Sequence, residues 1–238
     1  MPETLEDLIM LRPPTAERPL LGSIVLVVED SRHTCEVLRL ICQRSGARIR
    51  RAEGLTSAHR HLRAYRPRIA VIDLGLPDGS GLDLIDELAR AEPRIDALIA
   101  MSGDDTLHSA AMEAGADIFL PKPLASVSQF QNIALGLMPE ALRPPSVVTP
   151  LHDTVEPDPI ALRDDLSLAA DLLRQGPDGQ TLDYLGAFLA SLGKDSGLDG
   201  LQRLAAGVRE IRAKTPGAPD IDTLADEVEN RLHALQTV

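Results

Sequence analysis

The sequence predicts an α/β fold in which a five-stranded parallel sheet carries helices on both faces, followed by an all-helical C-terminal region. The first observation is a set of short, unbroken apolar runs, such as residues 69–72, each bounded by turn residues. Such runs are typical of strands that are buried on both faces. The second observation is that a helical pattern follows each run between residues 22 and 140. This alternation requires right-handed crossovers and a parallel sheet.

Each predicted strand leads into a helix, and several helix ends are recognisable. Ser31 is placed to cap the first helix and Gly46 to end it. The second strand alternates in polarity, as a half-exposed edge strand does, whereas the first, third and fourth are apolar and read as central. The predicted strands are 24–28, 47–51, 69–72, 97–101 and 117–120, and the helices after the first are 55–65, 82–88, 104–114 and 124–137.

Proline-rich stretches mark the predicted domain boundaries. Residues 1–20 form an N-terminal tail, in which residues 4–11 are either disordered or a short helical docking segment. Residues 21–140 form the α/β domain, and residues 141–159 form an extended, partly stiff linker. Residues 160–238 predict a helical bundle or a dimerisation module, with helices at about 160–175, 180–193, 198–213 and 220–236 and a break at Gly193 to Gly197.

The formal net charge of -12 is concentrated near the C-terminus. Residues 20–144 carry 16 acidic and 14 basic residues, whereas residues 145–238 carry 16 acidic and eight basic residues. Such an acidic half is poorly suited to hold nucleic-acid phosphates. No apolar run approaches the ~18 residues of a membrane span, and no secretory signal is visible. Two cysteines, Cys35 and Cys42, fit a reduced, cytoplasmic protein.

Polar side chains collect where the predicted strands end. Glu29 and Asp30 follow the first strand, and Asp73 ends the third. Because the carboxyl ends of parallel strands meet at one edge, we expect these carboxylates to lie together at an exposed rim and to bind Mg²⁺ there. Asp73 can then act as a nucleophile towards a phosphoryl group. Ser102, after the fourth strand, and Lys122, after the fifth, can share the charge on its oxygens.

Lys122 is the most informative residue of this set. It is the only lysine among the first 193 residues, in a chain that otherwise uses arginine. A compact ammonium binds phosphate as a point charge, which a guanidinium does not replace. Pro123 directly follows it, and a cis peptide bond there can aim the lysine side chain.

Residues 22–140 resemble the receiver domain of two-component response regulators. The resemblance rests on the acidic pair Glu29-Asp30, on residues 73–81 (Asp-Leu-Gly-Leu-Pro-Asp-Gly-Ser-Gly), on residues 101–103 (Met-Ser-Gly) and on residues 119–123 (Phe-Leu-Pro-Lys-Pro), all in the proper order. It implies a flavodoxin-like fold with strand order 2-1-3-4-5. Each motif alone also has a structural explanation, such as a turn former or a helix cap.

The resemblance implies a role for individual residues. Asp73 is the phosphoacceptor, and Asp30, Asp73 and the backbone carbonyl of Gly75 hold Mg²⁺ with Glu29 nearby. The phosphoryl group comes from a sensor histidine kinase or a histidine phosphotransfer protein. Its binding residues are Ser102, Gly103 and Lys122. Ser102 then turns towards the phosphoryl group while Phe119 rotates inward, and this pair forms the switch. Serine stands where threonine is more frequent, and phenylalanine where tyrosine is more frequent.

Three hypotheses describe how the C-terminal region passes on the signal. The acidic helices favour a non-enzymatic switch that signals through protein contacts with an effector, including self-association as a homodimer. The alternative is a DNA-binding transcriptional regulator with an unfamiliar helical output domain, although the cationic run of Arg203, Arg209, Arg212 and Lys214 is weak and reads as solvated surface. The third is a phosphotransfer or enzymatic module that uses His152 or His233. The first hypothesis limits chemistry to autophosphorylation from phosphodonors and autodephosphorylation.

Overall fold

The computed structural model describes residues 13–235, so the predicted docking segment 4–11 lies outside the described residues. This part of the chain contains five strands in one sheet and nine α-helices. The strands of this sheet are β1 (Ile24–Val28), β2 (Arg48–Ala52), β3 (Ile69–Asp73), β4 (Ala97–Ser102) and β5 (Ile118–Pro121). The helices are α1 (Arg32–Ser45), α2 (Leu55–Ala64), α3 (Gly81–Arg90), α4 (His108–Glu113), α5 (Val127–Leu137), α6 (Pro159–Arg174), α7 (Gly179–Ser196), α8 (Asp199–Arg212) and α9 (Ile221–Ala234).

The five strands form one parallel sheet in the order β2-β1-β3-β4-β5, which confirms the predicted flavodoxin-like fold. In this register Leu26 of β1 lies between Arg50 of β2 and Ala70 of β3. The central strands β1, β3 and β4 are buried along their whole length, whereas β2 is largely half-buried, as an edge strand should be. The carboxyl ends of all five strands therefore lie along one edge of the sheet.

Alternate side chains of the central strands build a core on each face of the sheet. Val25 and Val27 pack with apolar side chains of α1 and α5 on one face. Leu26 and Val28 pack with those of α2, α3 and α4 on the other. Because both faces are covered, the backbone of the sheet is held firmly and its strand ends are fixed in position.

The C-terminal helices α6 to α9 pack around an apolar core of their own, which includes Leu166, Leu189 and Val228. The predicted break at residues 193–197 is wrong, because α7 continues through Gly193 to Ser196. Gly193 allows α7 and α8 to pack closely, since a Cβ there would stand 3.1 Å from the Cβ of Leu201. Residues 159–235 are called the helical region below.

Two helix boundaries in the α/β part also differ from the prediction. Helix α5 begins at Val127 rather than at residue 124, because Ser126 caps it and accepts a hydrogen bond from the Gln129 amide at 3.0 Å. Residues 104–114 do not form one helix, since a 3₁₀ turn, Asp105–Leu107, precedes α4. In both places neighbouring residues compete to cap the helix, and sequence patterns predict the first residue of a helix poorly.

The proline-rich segment between the two parts is held against the α/β domain. Val155 is buried in the core beneath α1 and α5. Arg44 donates hydrogen bonds from Nη1 to the carbonyl oxygens of His152 and Thr154, both at 2.9 Å. Asp153 accepts hydrogen bonds from the Ser126 hydroxyl and from a backbone amide at the start of α5. The segment therefore guides the chain to a defined starting point for α6.

The helical region lies on the carboxyl edge of the sheet, with α6 and α7 packed against α1. Thr34 near the start of α1 donates its hydroxyl to Asp195 of α7 at 2.6 Å. Within residues 13–235, no helix has both the length and the apolar character that crossing a membrane requires.

Candidate functional site

The loops that follow four strands converge on a single cavity of about 320 Å³. Glu29 follows β1, Asp73 ends β3, Ser102 ends β4 and Lys122 follows β5, and all four line the cavity. The cavity wall also includes the predicted site residues Asp30, Gly75 and Gly103. The sheet thus brings together side chains that are up to 93 positions apart in the chain, from Glu29 to Lys122.

Asp73 and Lys122 form the centre of this site. The Lys122 ammonium lies 2.8 Å from Oδ1 of Asp73 and 2.7 Å from Oε2 of Glu29. The second oxygen of Asp73, Oδ2, accepts a hydrogen bond from the Gly75 amide at 2.8 Å. The side chains of Lys122 and Asp73 are only 2% and 8% exposed. Fixed contacts on both of its oxygens hold the Asp73 carboxylate in one orientation towards the cavity.

Three carboxylates share one ammonium here, and their pKa values reflect the excess of negative charge. Burial raises the pKa of Glu29 well above its ordinary value, against the opposing charge of Lys122. Burial also raises the pKa of Asp30, to about 6, and the nearby charge of Asp73 adds to the increase. Burial by itself lowers the pKa of Lys122, but the charges of Asp73 and Glu29 outweigh it, so this pKa lies well above its ordinary value. A further positive charge at this site would relieve the repulsion between the carboxylates.

The donor set fits a divalent cation with a preference for oxygen. Glu29, Asp30 and Asp73 each offer a carboxylate oxygen, and these three atoms lie within 4.8 Å of one another. Hard oxygen ligands at this spacing, beside the backbone of Gly75, suit Mg²⁺. The expectation of an exposed rim is wrong, however, because the helical region covers the cluster and leaves Asp73 6% exposed.

The predicted switch residues lie on neighbouring strands, Ser102 at the end of β4 and Phe119 within β5. Ser102 lines the cavity, and its hydroxyl oxygen accepts a hydrogen bond from the Asp104 amide at 3.1 Å. Phe119 is already turned inward, 7% exposed, with its ring edge-to-face on His108 at a centroid distance of 5.4 Å. Because the ring already points inward, the predicted outward position of Phe119 is not seen. The peptide bond between Lys122 and Pro123 is cis.

Comparison with known proteins identifies the α/β part. The profile of the family described as "Response regulator receiver domain" matches residues 25–133. These residues are a response regulator receiver domain. Among curated proteins, the receiver domain and adjoining sequence are similar to the KDP operon transcriptional regulatory protein KdpE of Escherichia coli K12, with 30% identity over 157 residues. That match covers 65% of this chain and 64% of KdpE.

A second curated relative and one solved structure are also similar to the receiver domain. The virulence transcriptional regulatory protein PhoP of Salmonella typhimurium is 33% identical over 100 residues, which are 42% of this chain and 45% of PhoP. The receiver domain of a sensor histidine kinase from Pseudomonas aeruginosa, with a magnesium ion coordinated in its active site cleft, covers 48% of this chain and 96% of that domain at 22% identity and a TM-score of 0.44. The chain thus spans less than two thirds of the length of the curated relatives it matches.

Residues of the helical region complete the surroundings of the receiver site, and the sequence did not indicate them. The Tyr184 hydroxyl of α7 donates a hydrogen bond to Oδ2 of Asp30. Lys194 of the same helix donates to the carbonyl oxygen of Gly103. Asp165 of α6 is 1% exposed and caps the start of α1. The sequence signal that was available was weak: one of only two tyrosines in the chain, on an otherwise ordinary amphipathic helix.

The four residues of the cationic run are exposed, as expected of a solvated surface. The side chain of Arg209 also contributes to the wall of the receiver cavity. Together with Lys194 it lowers the pKa of Asp104, after the larger effect of hydrogen bonds from Thr106. Arg212 pairs with Asp183 at 3.0 Å within the helical region. Within the run, Arg209 is thus the residue that lines the receiver cavity, whereas Arg212 holds two helices of the helical region together.

Proposed function

We propose that the protein is a phosphorelay response regulator in which Asp73 accepts a phosphoryl group from a sensor histidine kinase or a histidine phosphotransfer protein. The observation that carries this proposal is the buried contact between Oδ1 of Asp73 and the Lys122 ammonium at 2.8 Å, at the wall of a 320 Å³ cavity. A phosphoryl group fits a cavity of this size. A lysine paired with a carboxylate at the strand ends supplies a point charge for the phosphoryl oxygens beside a nucleophile for the phosphorus.

In the proposed transfer, an Asp73 oxygen attacks the phosphorus of a phosphohistidine. The P–N bond breaks, its electron pair leaves with the imidazole nitrogen, and a new P–O bond makes an acyl phosphate. Lys122 balances the charge of the phosphoryl oxygens, and the Ser102 hydroxyl is placed to donate to one of them. Glu29 holds Lys122 from behind at 2.7 Å, which keeps the ammonium pointing at Asp73.

Mg²⁺ is the cofactor of this proposal, held by Asp30, Asp73 and the carbonyl of Gly75 with Glu29 nearby. When bound, the cation supplies positive charge that neutralises the carboxylates and the oxygens of the transferred group. The Asp73 carboxylate is kept fixed for this purpose by the Gly75 amide at 2.8 Å. Chemistry of the chain itself is limited to autophosphorylation from phosphodonors and autodephosphorylation.

In this proposal, the protein passes on its signal through a protein contact made by the helical region. Residues 145–238 carry 16 acidic and eight basic residues, a net charge of -8, which favours a protein effector or a second copy of this chain over nucleic acid. Charge of this sign repels a phosphate backbone and would have to be overcome by a strongly basic face.

A DNA-binding transcriptional regulator is the second candidate. It is favoured by the relatives, since KdpE and PhoP are both transcriptional regulatory proteins by name. A filter-binding titration of the full chain against mixed duplex separates the two candidates. Binding with a steep dependence on salt would favour the transcriptional regulator, and no binding at low salt would exclude it.

The phosphoacceptor role is tested by intact mass after incubation with acetyl phosphate and Mg²⁺. Wild type should gain about 80 Da, the mass of one phosphoryl group, and Asp73→Asn should gain nothing. Asp96→Asn is the matched control, because Asp96 pairs with Arg68 at the opposite edge of the sheet, at 3.3 Å. An unlabelled wild type, or equal labelling of Asp73→Asn, would exclude Asp73 as the acceptor.

A further inference from the structure

The helical region closes over the receiver site and is fixed there by polar contacts. Oδ1 of Asp165 accepts a hydrogen bond from the Arg32 amide at 2.8 Å, and Oδ2 accepts one from the His33 amide at 3.0 Å. These amides belong to the first turn of α1, where no intrahelical acceptor exists. Their protection from solvent therefore depends on whether the helical region is docked.

A second group of contacts lies at the mouth of the cavity. The Gly103 backbone approaches Ser191 of α7 so closely that a Cβ on Gly103 would stand 3.0 Å from the Ser191 Cα. Lys194 donates to the Gly103 carbonyl on the same side. The helical region thus lies over the entrance to Asp73 and narrows the space through which a phosphohistidine on another protein must approach it.

Tyr184 connects this cover directly to the metal-binding carboxylates. Its hydroxyl donates to Oδ2 of Asp30, one of the three residues whose oxygens lie within 4.8 Å of one another. Its ring stacks on Phe188 at a centroid distance of 5.6 Å, which fixes the direction of the hydroxyl. Tyr184 is the residue of the helical region that touches the proposed magnesium ligands.

Mg²⁺ imposes a spatial requirement that Tyr184 opposes. The ion demands a near-octahedral shell at about 2.0–2.1 Å and normally retains several waters. A hydroxyl hydrogen-bonded to Asp30 occupies the space of that water shell and uses a lone pair of the ligand carboxylate. Two groups that need the same carboxylate and the same space bind in competition.

We propose that Tyr184 is a latch residue: Mg²⁺ binding at Asp30 and docking of the helical region through Tyr184 oppose each other. This inference rests on the proposed function, because it takes Mg²⁺ to bind the Asp30 cluster. It assigns the surface formed by Asp165, Tyr184, Ser191, Lys194 and Asp195 as a receiver-binding surface whose occupant is the receiver domain of the same chain. Mg²⁺ loading then loosens the cover over Asp73 and opens it to a protein phosphodonor.

Linkage makes the proposal quantitative. If Mg²⁺ weakens docking by a given factor, docking must weaken Mg²⁺ binding by the same factor. The Tyr184 hydrogen bond goes to a charged acceptor, and losing such a bond changes an equilibrium by about tenfold or more. Both effects should therefore be about tenfold and should agree with each other.

The test uses the full chain and two NMR readouts, with Mg²⁺ as the probe. The first readout is hydrogen exchange of the Arg32 and His33 amides, with chelator and with saturating Mg²⁺. The second is Mg²⁺ affinity from titration of the Gly75 amide shift. Tyr184→Phe removes the hydroxyl and keeps the ring on Phe188. Tyr65→Phe, the same change on the chain's other tyrosine, is the matched control.

The expected result in wild type and Tyr65→Phe is about tenfold faster exchange of both amides on Mg²⁺ addition. In Tyr184→Phe exchange should be fast already, change little with Mg²⁺, and accompany a Mg²⁺ affinity higher by the same factor. If Mg²⁺ binds but exchange in wild type is unchanged or slower, the latch is refuted and the phosphoacceptor proposal stands. If no variant binds Mg²⁺, the cofactor assignment fails and the latch fails with it.

Discussion

Asp165 and its neighbour Asp164 provide a sharp test of how the helical region is held. Both are carboxylates on α6, and both contact residues at the start of α1. Asp164 pairs with the Arg32 side chain at 2.7 Å, where the two side chains are 42% and 57% exposed. Asp165 is 1% exposed and accepts hydrogen bonds from the Arg32 and His33 amides and from the Ser31 hydroxyl, the last at 2.8 Å.

The difference between the two residues follows from burial. Each hydrogen bond to a charged group makes a net contribution of about 1.5–3 kcal/mol to stability. Desolvation opposes them, and burial raises the pKa of Asp165 above its ordinary value even though the three hydrogen bonds lower it. We therefore expect a net contribution near that of a strong N-cap, about 2 kcal/mol. The exposed pair at Asp164 should contribute at most about 0.5 kcal/mol.

Asp165→Ala and Asp164→Ala isolate this difference, because both place the same helix-favouring residue in α6. Hydrogen exchange of the Arg32 and His33 amides measures the local opening free energy. Asp165→Ala should speed this exchange by about 30-fold, which corresponds to 2 kcal/mol, and Asp164→Ala by less than about threefold. Equal effects of the two substitutions, or unchanged exchange in Asp165→Ala, would refute the role of Asp165 as the anchor of the helical region.

Three further predictions concern other parts of the molecule. Gly81→Ala should lower the free energy of unfolding by about 2 kcal/mol in denaturant titrations, because the added Cβ would overlap the backbone carbonyl of Asp73. Gly136→Ala is the control and should not lower it, because a Cβ at Gly136 meets nothing within 4 Å. Cys35 and Cys42 should resist iodoacetamide at pH 8 in the native protein and react after denaturation. The reason is that burial raises the pKa of both thiols, that of Cys42 to about 12. Rapid labelling of the native protein would contradict this. Hydrogen bonds from the Ser126 hydroxyl and the Ser128 amide lower the pKa of Asp153, so its anchoring of the linker is present above the unfolded pKa of about 4 and is lost as pH falls through the folded pKa. The opening constant of the first α5 amides, obtained from hydrogen exchange after correction for the intrinsic rate, should therefore rise as pH falls in wild type. In Asp153→Asn the same constant should not change over this pH range.

Much of the receiver site could be predicted because its chemistry follows from position along the strands. The end of a buried parallel strand is easy to recognise, and the sheet topology sends all such ends to one edge. Asp73 and Lys122 were therefore predicted together, and the structure places them 2.8 Å apart. Helix boundaries were less predictable, since Ser126 competes with earlier residues to cap α5 and Gly193 is read equally well as a break or as a packing residue.

The orientation of Phe119 and the cover over the site could not be read in this way. Whether Phe119 points inward depends on the space available beside His108, which is a property of the folded packing. The contact of Tyr184 with Asp30 joins residues 154 positions apart. No periodicity or motif connects two such positions, because nothing in the local sequence of an amphipathic helix encodes which surface it will meet.

The sequence by itself determined the α/β class, the strand order through the family resemblance, and the set of charged residues at the strand ends. These depend on short-range patterns of burial and turns, which the chain carries locally. Only the tertiary structure decided that the acidic helices lie over that carboxyl edge, that Asp165 caps the first receiver helix, and that Tyr184 donates a hydrogen bond to Asp30. The physical reason is that docking between two folded parts depends on matched surfaces of both, and those surfaces exist only after each part has folded.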